Sequence, residues 1–308
     1  MKCLKDLIII GAGPAGLTSA LYAARAGISV CVLEKNIYGG QVAITNEIEN
    51  YPAIERVTGA EFSMNLYNQI TKQNVKVRLE EVQNVDFSGN IKKVETTAGK
   101  YSAKTIIIAN GVKRRKLGCK GESEFAGRGV SYCATCDGAF FKGKDVAVVG
   151  GGNTALEEAL FLANICKSVT ILVRKDNVRA EKFLLDAAQK KSNIYFMYNT
   201  IVTEICGGNG SVDTLILYNK TCREKTTLKV SAIFIAIGLE ADNSIFSQFL
   251  DLDKNGYIVA DESCLTKVPG VFVAGDTRTK SLRQIITAAS DGAIAAKNVI
   301  SVLNGECV

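Results

Sequence analysis

Two glycine-rich turns, each set between an apolar strand and an alanine-rich helix, constrain this chain more than any other feature. The first is Gly11-Ala12-Gly13-Pro14-Ala15-Gly16. Residues 7–10 before it are an apolar run of the kind a buried strand shows, and residues 15–26 have helical composition. Gly27 ends that helix, residues 28–33 read as a second strand, and Glu34 closes it. The pattern returns at Gly150-Gly151-Gly152-Asn153-Thr154-Ala155, with a strand at 146–149, a helix to about residue 164 and a strand at 169–173. The spacing has a physical reason. Gly11 permits the tight turn, Gly13 lets backbone N–H groups approach a pyrophosphate at the helix start, and Gly16 lets helix pack on strand. Gly150, Gly152 and Ala155 hold the same positions in the second turn.

The residue that ends the second strand differs between the two units, and it selects the ligand. Glu34 stands 23 positions after Gly11; the same count from Gly150 reaches Val173, followed by Arg174, Lys175 and Arg179. A carboxylate there accepts from free ribose hydroxyls and repels a 2′-phosphate, whereas cations favour the phosphate. The first turn therefore suits a dinucleotide such as FAD and the second suits NADP. The competing readings are a glycine turn without ligand and, for the three cations, a solvated basic loop.

A further internal likeness supports duplication. Residues 105–111, TIIIANG, resemble residues 232–238, AIFIAIG, and each stretch follows a strand–helix–strand unit and a strand-rich segment. Gly270 to Asp276 is one more strand, with Gly275 and Asp276 at the carboxyl edge where open parallel sheets bind ligands. The expected fold is α/β, with two Rossmann-like dinucleotide-binding domains. A length of 308 residues accommodates two such domains.

Bulk properties narrow the class. The net charge of +6 is scattered, and the one basic run, Lys113-Arg114-Arg115-Lys116, reads as a solvated loop rather than a nucleic-acid patch. No uninterrupted apolar run approaches the roughly 18 residues of a membrane span, and MKCLKDLIII leads straight into the glycine turn, so it reads as a strand and not a signal. The expectation is a cytoplasmic protein with neither nucleic-acid nor membrane partner. Histidine is absent, which removes histidine bases and histidine metal ligands together.

Of ten cysteines, eight are isolated: Cys3, Cys31, Cys119, Cys166, Cys206, Cys222, Cys264 and Cys307. In a long chain without a signal they read as reduced thiols. Cys206 and Cys222 read as structural, and Cys307 as a free cysteine or a redox thiol near the end of the chain. Cys133 and Cys136 differ, for they sit two residues apart in SYCATCDGAF, just before the second glycine turn. A disulfide there closes too small a loop to stabilise much. Zinc needs about four ligands, and neither a second pair nor a histidine is present, so no metal is expected. A redox pair, with Asp137 beside it as the nearest acid–base group, competes with two buried apolar cysteines.

The segment CATCDGAFFKGKDVAVVGGGNTALEEAL carries a resemblance to the low-molecular-weight, bacterial-type thioredoxin reductases, which extends over essentially the whole chain. Gly39-Gly40-Gln41, Glu49-Asn50-Tyr51-Pro52, Gly275-Asp276 and Arg283-Gln284 are similar to the FAD-binding elements of that family. The resemblance implies a split FAD domain, residues 1–113 and 244–308, around an inserted NADPH domain, 114–243, that carries the cysteine pair. It implies hinges near residues 111–115 and 240–243, rotation of the inserted domain, and a homodimer. NADPH would reduce FAD, FAD the disulfide, and the dithiol thioredoxin, whose potential lies near about −270 mV. On the same basis residues 34–41, with Glu34, Lys35, Gly39, Gly40 and Gln41, and residues 276–285, ending at Arg283, Gln284 and Ile285, line the FAD. Gly152, Asn153, Thr154 and Ala155 hold the NADPH pyrophosphate. Arg174, Lys175 and Arg179 take the 2′-phosphate, and Asp137 is the acid–base group.

The sequence departs from the family where His-Arg-Arg becomes Val173-Arg174-Lys175, and at Asn110 and Ile285. Lysine loses the bidentate fork of arginine, which implies lower NADPH affinity or weaker preference over NADH. Three rival readings keep parts of this picture. One takes electrons from reduced ferredoxin through a vestigial NADPH site, although the intact second turn argues against it. Another feeds a glutaredoxin-like or peroxide-reducing system. The last is a non-enzymatic dinucleotide sensor with a redox switch.

Overall fold

A computed structural model describes residues 4–45 and 47–306. The chain forms two compact units, Met1–Lys113 with Glu240–Val308, and Arg114–Leu239. The second crossing falls at 239/240, ahead of the expected boundary at 243. Residues 242 and 243 are held by the first unit: Asn110 Nδ2 donates to Asp242 O and Asn243 Oδ1, and the buried Asn243 donates to Gly256 O.

In the first unit, β1 (Lys5–Ile10), β2 (Val30–Glu34) and β3 (Lys76–Leu79) run parallel, and β6 (Gly99–Ile108) lies on the other side of β1. The far edge of β6 is shared. Its first half pairs antiparallel with β5 (Lys92–Thr96), which continues to β4 (Val82–Asp86), and its last three residues pair parallel with β17 (Val271–Val273). The alternation of β1 shows why this strand is buried on both faces. Leu7 and Ile9 pack with helices α1 (Pro14–Arg25) and α6 (Ile285–Leu303), while Ile8 and Ile10 join Val85, Phe87 and Phe246 on the opposite layer. Full burial of each such side chain favours folding by about 1.5–3 kcal/mol. Helix α1 stops where Gly27, at φ +79°, supplies the left-handed turn that caps helices. Helix α2 (Gly59–Thr71) starts at Thr58, whose hydroxyl accepts the Glu61 N–H.

The second unit repeats the plan. Strands β9 (Asp145–Val149), β10 (Ser168–Leu172) and β11 (Ile194–Met197) run parallel, β15 (Ala232–Ile235) returns beside β9, and β8 (Val130–Ser131) pairs with β15. Helix α4 (Asn153–Ala163) joins β9 to β10, and α5 (Lys182–Gln189) precedes β11. The antiparallel β12 (Thr200–Gly208), β13 (Ser211–Asn219) and β14 (Glu224–Lys229) form a sheet of their own, and in chain order they fall between β11 and the return strand β15. Val146 and Val148 face one core, Ala147 and Val149 the other. The short helix α3 (Ala134–Asp137) precedes β9, and β7 (Lys113–Arg114) pairs with β16 (Leu239–Glu240) where the chain passes between the units.

Helix α6 is 19 residues long, and its most apolar 18-residue window has a mean hydropathy of 1.2, enough by length and composition alone to cross a membrane. Charged residues interrupt the run, which is why no continuous apolar stretch stands out, and Asp291 and Asn298 are buried within it as it packs on α1. Cys31, Cys166 and Cys264 are buried, but Cys222 is exposed in the turn between β13 and β14, so a structural role does not hold for it. Cys3 and Cys307 lie outside the described residues.

Candidate active site

In the first glycine turn, Gly11 adopts φ +107°, and a Cβ there would stand 2.3 Å from Ala109 O. A Cβ on Gly16 would stand 2.0 Å from Gly11 O, so helix and turn touch backbone to backbone. Gly13 is different, since a Cβ there meets nothing within 4 Å. Glycine at 11 and 16 thus serves the protein, while glycine at 13 keeps open the space in front of the α1 start. That start has extended Gly13 at its N-cap, no side-chain cap and Pro14 in the first position. The leading N–H groups of a helix have no partner within it, so a helix start of this kind can hold a pyrophosphate. Gly40, at φ +57°, lies across from Gly13.

Glu34 does more here than end a strand. Its buried carboxylate accepts the Ala12 N–H at 2.7 Å and the Asn36 N–H at 2.9 Å, bracing the glycine turn against the end of β2. A carboxylate has about four acceptor positions, so capacity remains for ribose hydroxyls. Gly39 N–H bonds to Ala12 O at 2.7 Å, Gln41 Nε2 donates to Val112 O, and the exposed Lys35 lies 3.9 Å from Asp242.

The remaining first-unit residues gather at the ends of β17 and α6. Gly275 N–H donates to Asp291 Oδ2 at 2.9 Å, which fixes the turn that presents Asp276. The Arg283 guanidinium donates to Asp276 O, Lys280 O and Arg278 O and lies 4.0 Å from the Tyr257 ring centroid, so it braces the 276–283 loop. Gln284 caps α6 in a reciprocal pair with Thr287 and accepts from Asn50 Nδ2 at 3.1 Å; Ile285 is the first helical residue. Asp291 was not singled out from sequence. Its signal is an Asp-Gly pair inside an otherwise apolar helical run, where an unpaired charge would be costly.

The second turn matches the first feature by feature. Gly150 adopts φ +152°, with a Cβ position 2.4 Å from Ala236 O, while a Cβ on Gly152 meets nothing within 4 Å. Helix α4 starts at extended Gly152 without a side-chain cap, ahead of Asn153, Thr154 and the buried Ala155. Val173 occupies the place of Glu34, and its side chain packs against Gly151 instead of bonding to it. Arg179 N–H bonds to Gly151 O at 2.6 Å, the counterpart of Gly39 on Ala12. That bond brings the Arg179 backbone to the turn. Arg174, Lys175 and Arg179 are exposed, and among the described residues they carry no ion pair. Asn153 differs from expectation in geometry: its amide exchanges two 2.9 Å hydrogen bonds with Glu181, so it pins the 179–181 segment to the start of α4.

Cys133 and Cys136 are joined in a disulfide with Cα atoms 5.3 Å apart, and both are partly exposed. This excludes two buried apolar thiols, and among the described residues no cluster of three or more metal-ligating side chains is present. Cys133 precedes the single turn of α3, and its carbonyl accepts the N–H groups of Cys136 and Asp137. The Asp137 carboxylate accepts the Ser131 hydroxyl at 2.5 Å, and the same hydroxyl accepts the Cys133 N–H at 3.1 Å. Burial raises the Asp137 pKa against the opposing pull of Ser131 and Arg114. Next to Cys133, Tyr132 donates to the buried Glu122 at 2.8 Å, and the Arg114 guanidinium lies over the Tyr132 ring.

A disulfide turn followed by a partly buried acid, together with two dinucleotide turns, defines a flavin- and nicotinamide-linked disulfide oxidoreductase. The chain belongs to the pyridine nucleotide-disulphide oxidoreductase family, whose model matches residues 5–292. It is 42% identical over 294 residues to the thioredoxin reductase of Bacillus subtilis, covering 96% of this chain and 93% of that protein. It is 44% identical to the bifunctional thioredoxin reductase/thioredoxin of Mycobacterium leprae, covering 96% of this chain and 65% of that one. The crystal structure of thioredoxin reductase from Streptococcus pyogenes is 41% identical and superposes with a TM-score of 0.95 over 99% of this chain and 100% of that chain.

Proposed function

We propose that this protein is an FAD-containing, NADPH-dependent thioredoxin–disulfide reductase. The observation that carries this reading is the Cys133–Cys136 disulfide, set beside the partly buried Asp137 in a chain with two dinucleotide turns. Overall, NADPH, a proton and oxidised thioredoxin give NADP and thioredoxin dithiol. Bound FAD supplies the two-electron relay between nicotinamide and disulfide. The first unit would hold the FAD: the N–H groups behind Gly13 would bind its pyrophosphate and Glu34 its ribose, with the braced loop of Asp276, Arg283 and Gln284 as a further contact. The second unit takes NADPH at Gly152 to Ala155, with Arg174, Lys175 and Arg179 on the 2′-phosphate. Asp137 holds the proton that moves to and from the cysteine sulfurs.

The intact second turn favours NADPH over reduced ferredoxin as donor. The family resemblance supports a homodimer, and the many thiols outside the disulfide suit the reducing cytoplasm. An anaerobic titration of the flavoprotein with NADPH and then NADH tests the reading. Stoichiometric bleaching by NADPH, reversed by oxidised thioredoxin, is expected. Bleaching by reduced ferredoxin but not by NADPH would give the function to the ferredoxin alternative.

A further inference from the structure

Glu158 has no part in the scheme above. It lies on α4, against which α3 packs: Ala134 shares a core with Leu156, Ala159 and Leu162, and a Cβ on Gly138 would meet Leu162 at 2.9 Å. The Glu158 carboxylate accepts the backbone N–H of Ala134, a residue inside the loop between the two cysteines. Its Oε2 is buried and has no hydrogen-bond partner among the described residues. The charged groups that face it are Arg114 at the chain crossing, Asp137 on α3 and Glu157 on its own helix. Arg114 faces Asp137 as well, so two carboxyls share one guanidinium beside the disulfide.

We propose that Glu158, on the helix beneath the cysteine loop, takes up a proton when the Cys133–Cys136 disulfide is reduced. The inference rests on the reading of that disulfide as the redox centre. Two electrons, arriving from NADPH by the route above, break the S–S bond. One proton on sulfur leaves a thiol and a thiolate. The new negative charge raises the proton affinity of the adjacent carboxyls, and a second proton binds at Glu158 rather than on the second sulfur. When thioredoxin reoxidises the pair, two electrons and both protons leave together, and Glu158 returns to its anionic form. Burial supports this poise, pushing the Glu158 pKa up to about 7; the Ala134 N–H and Arg114 oppose it, and Asp137 and Glu157 add to it.

The test is the potential of the Cys133–Cys136 couple in the FAD holoenzyme, poised with dithiothreitol buffers and read by thiol alkylation either side of pH 7. Neither NADPH nor thioredoxin is needed. Above pH 7 the wild type is expected to take up one proton more per two electrons than Glu158→Gln. That is an extra tenfold in the equilibrium constant per pH unit, or about 30 mV. Equal slopes in the two proteins would overturn the proposal. Should Glu158→Gln fail to fold, infrared difference spectra of the wild type with isotope-labelled glutamate decide it: reduction above pH 7 must produce a protonated-glutamate band, and its absence overturns the proposal. Failure of the reductase reading looks different, as a disulfide that exchanges no electrons with the flavin whatever its pH slope.

Discussion

Arg278 and Asp291 form a two-point ion pair, Nε to Oδ2 and Nη2 to Oδ1 at 2.9 Å each, with 1% and 3% of their side chains exposed. Lys280 adds a third contact at 2.9 Å, and Asp291 also receives the Gly275 N–H. Removing one partner of a buried pair leaves the other charge uncompensated, at about 3–5 kcal/mol. Asp291→Asn should therefore lower the melting temperature of the holoprotein by roughly ten degrees and weaken FAD retention, checked by calorimetry and by flavin release on gel filtration.

The same carboxylate carries a pH signature. Burial opposes its ionisation, but hydrogen bonds from Arg278 and Lys280 outweigh it and hold the Asp291 pKa below the ordinary carboxylate value. Its contribution to stability is complete above the unfolded pKa of about 3.9 and is lost as pH falls through the lower folded value. Acid denaturation curves of wild type and Asp291→Asn should converge at the acid end and separate above it.

The glycines of each turn should divide into two groups. Gly11→Ala and Gly150→Ala place a Cβ 2.3 and 2.4 Å from a carbonyl oxygen and should destabilise the fold even without cofactor. Gly13→Ala and Gly152→Ala meet nothing within 4 Å and should leave the apoprotein as stable as wild type. Their cost appears on ligand binding: FAD affinity falls in the first and NADPH affinity in the second, measured by isothermal titration.

Exposed Arg179, tethered to Gly151 through its backbone, should contribute a charge-assisted hydrogen bond of about 1.5–3 kcal/mol to a 2′-phosphate. Arg179→Ala should then raise the NADPH KM roughly tenfold or more and leave the NADH KM nearly unchanged. Lys175→Arg restores a bidentate fork and should move the preference the other way.

Ser131 pulls the Asp137 pKa down against burial. Ser131→Ala removes that pull, so the Asp137 pKa rises further. The alkaline limb of kcat for thioredoxin reduction should move to higher pH, as a full pH–rate profile would show.

Much of this was legible in the sequence for a definite reason. Strand–turn–helix units are local, and the glycines at 11, 16 and 150 are dictated by contacts within a few ångströms of the backbone that any such unit must make. The acid–valine contrast at Glu34 and Val173 could be read by counting. The partners that brace these sites could not, because they come from distant parts of the chain: Asp291 with Gly275, Asn153 with Glu181, Glu158 with Ala134. That residues 242 and 243 belong with the first unit was not legible, because their anchors, Asn110 and Gly256, are set by packing and not by pattern.

The shared edge of β6 has a consequence for synthesis on the ribosome. Strand β17 and helix α6, which complete the first sheet and cover its core, come from chain that follows the inserted unit. The inserted unit, Arg114–Leu239, is contiguous and fully translated by then. Domains fold as units during translation, at about 5–20 residues per second. The nascent chain should thus carry a finished inserted unit while the segment ahead of it still waits, with an open sheet edge and an uncovered apolar face, for the strand and helix that complete its sheet.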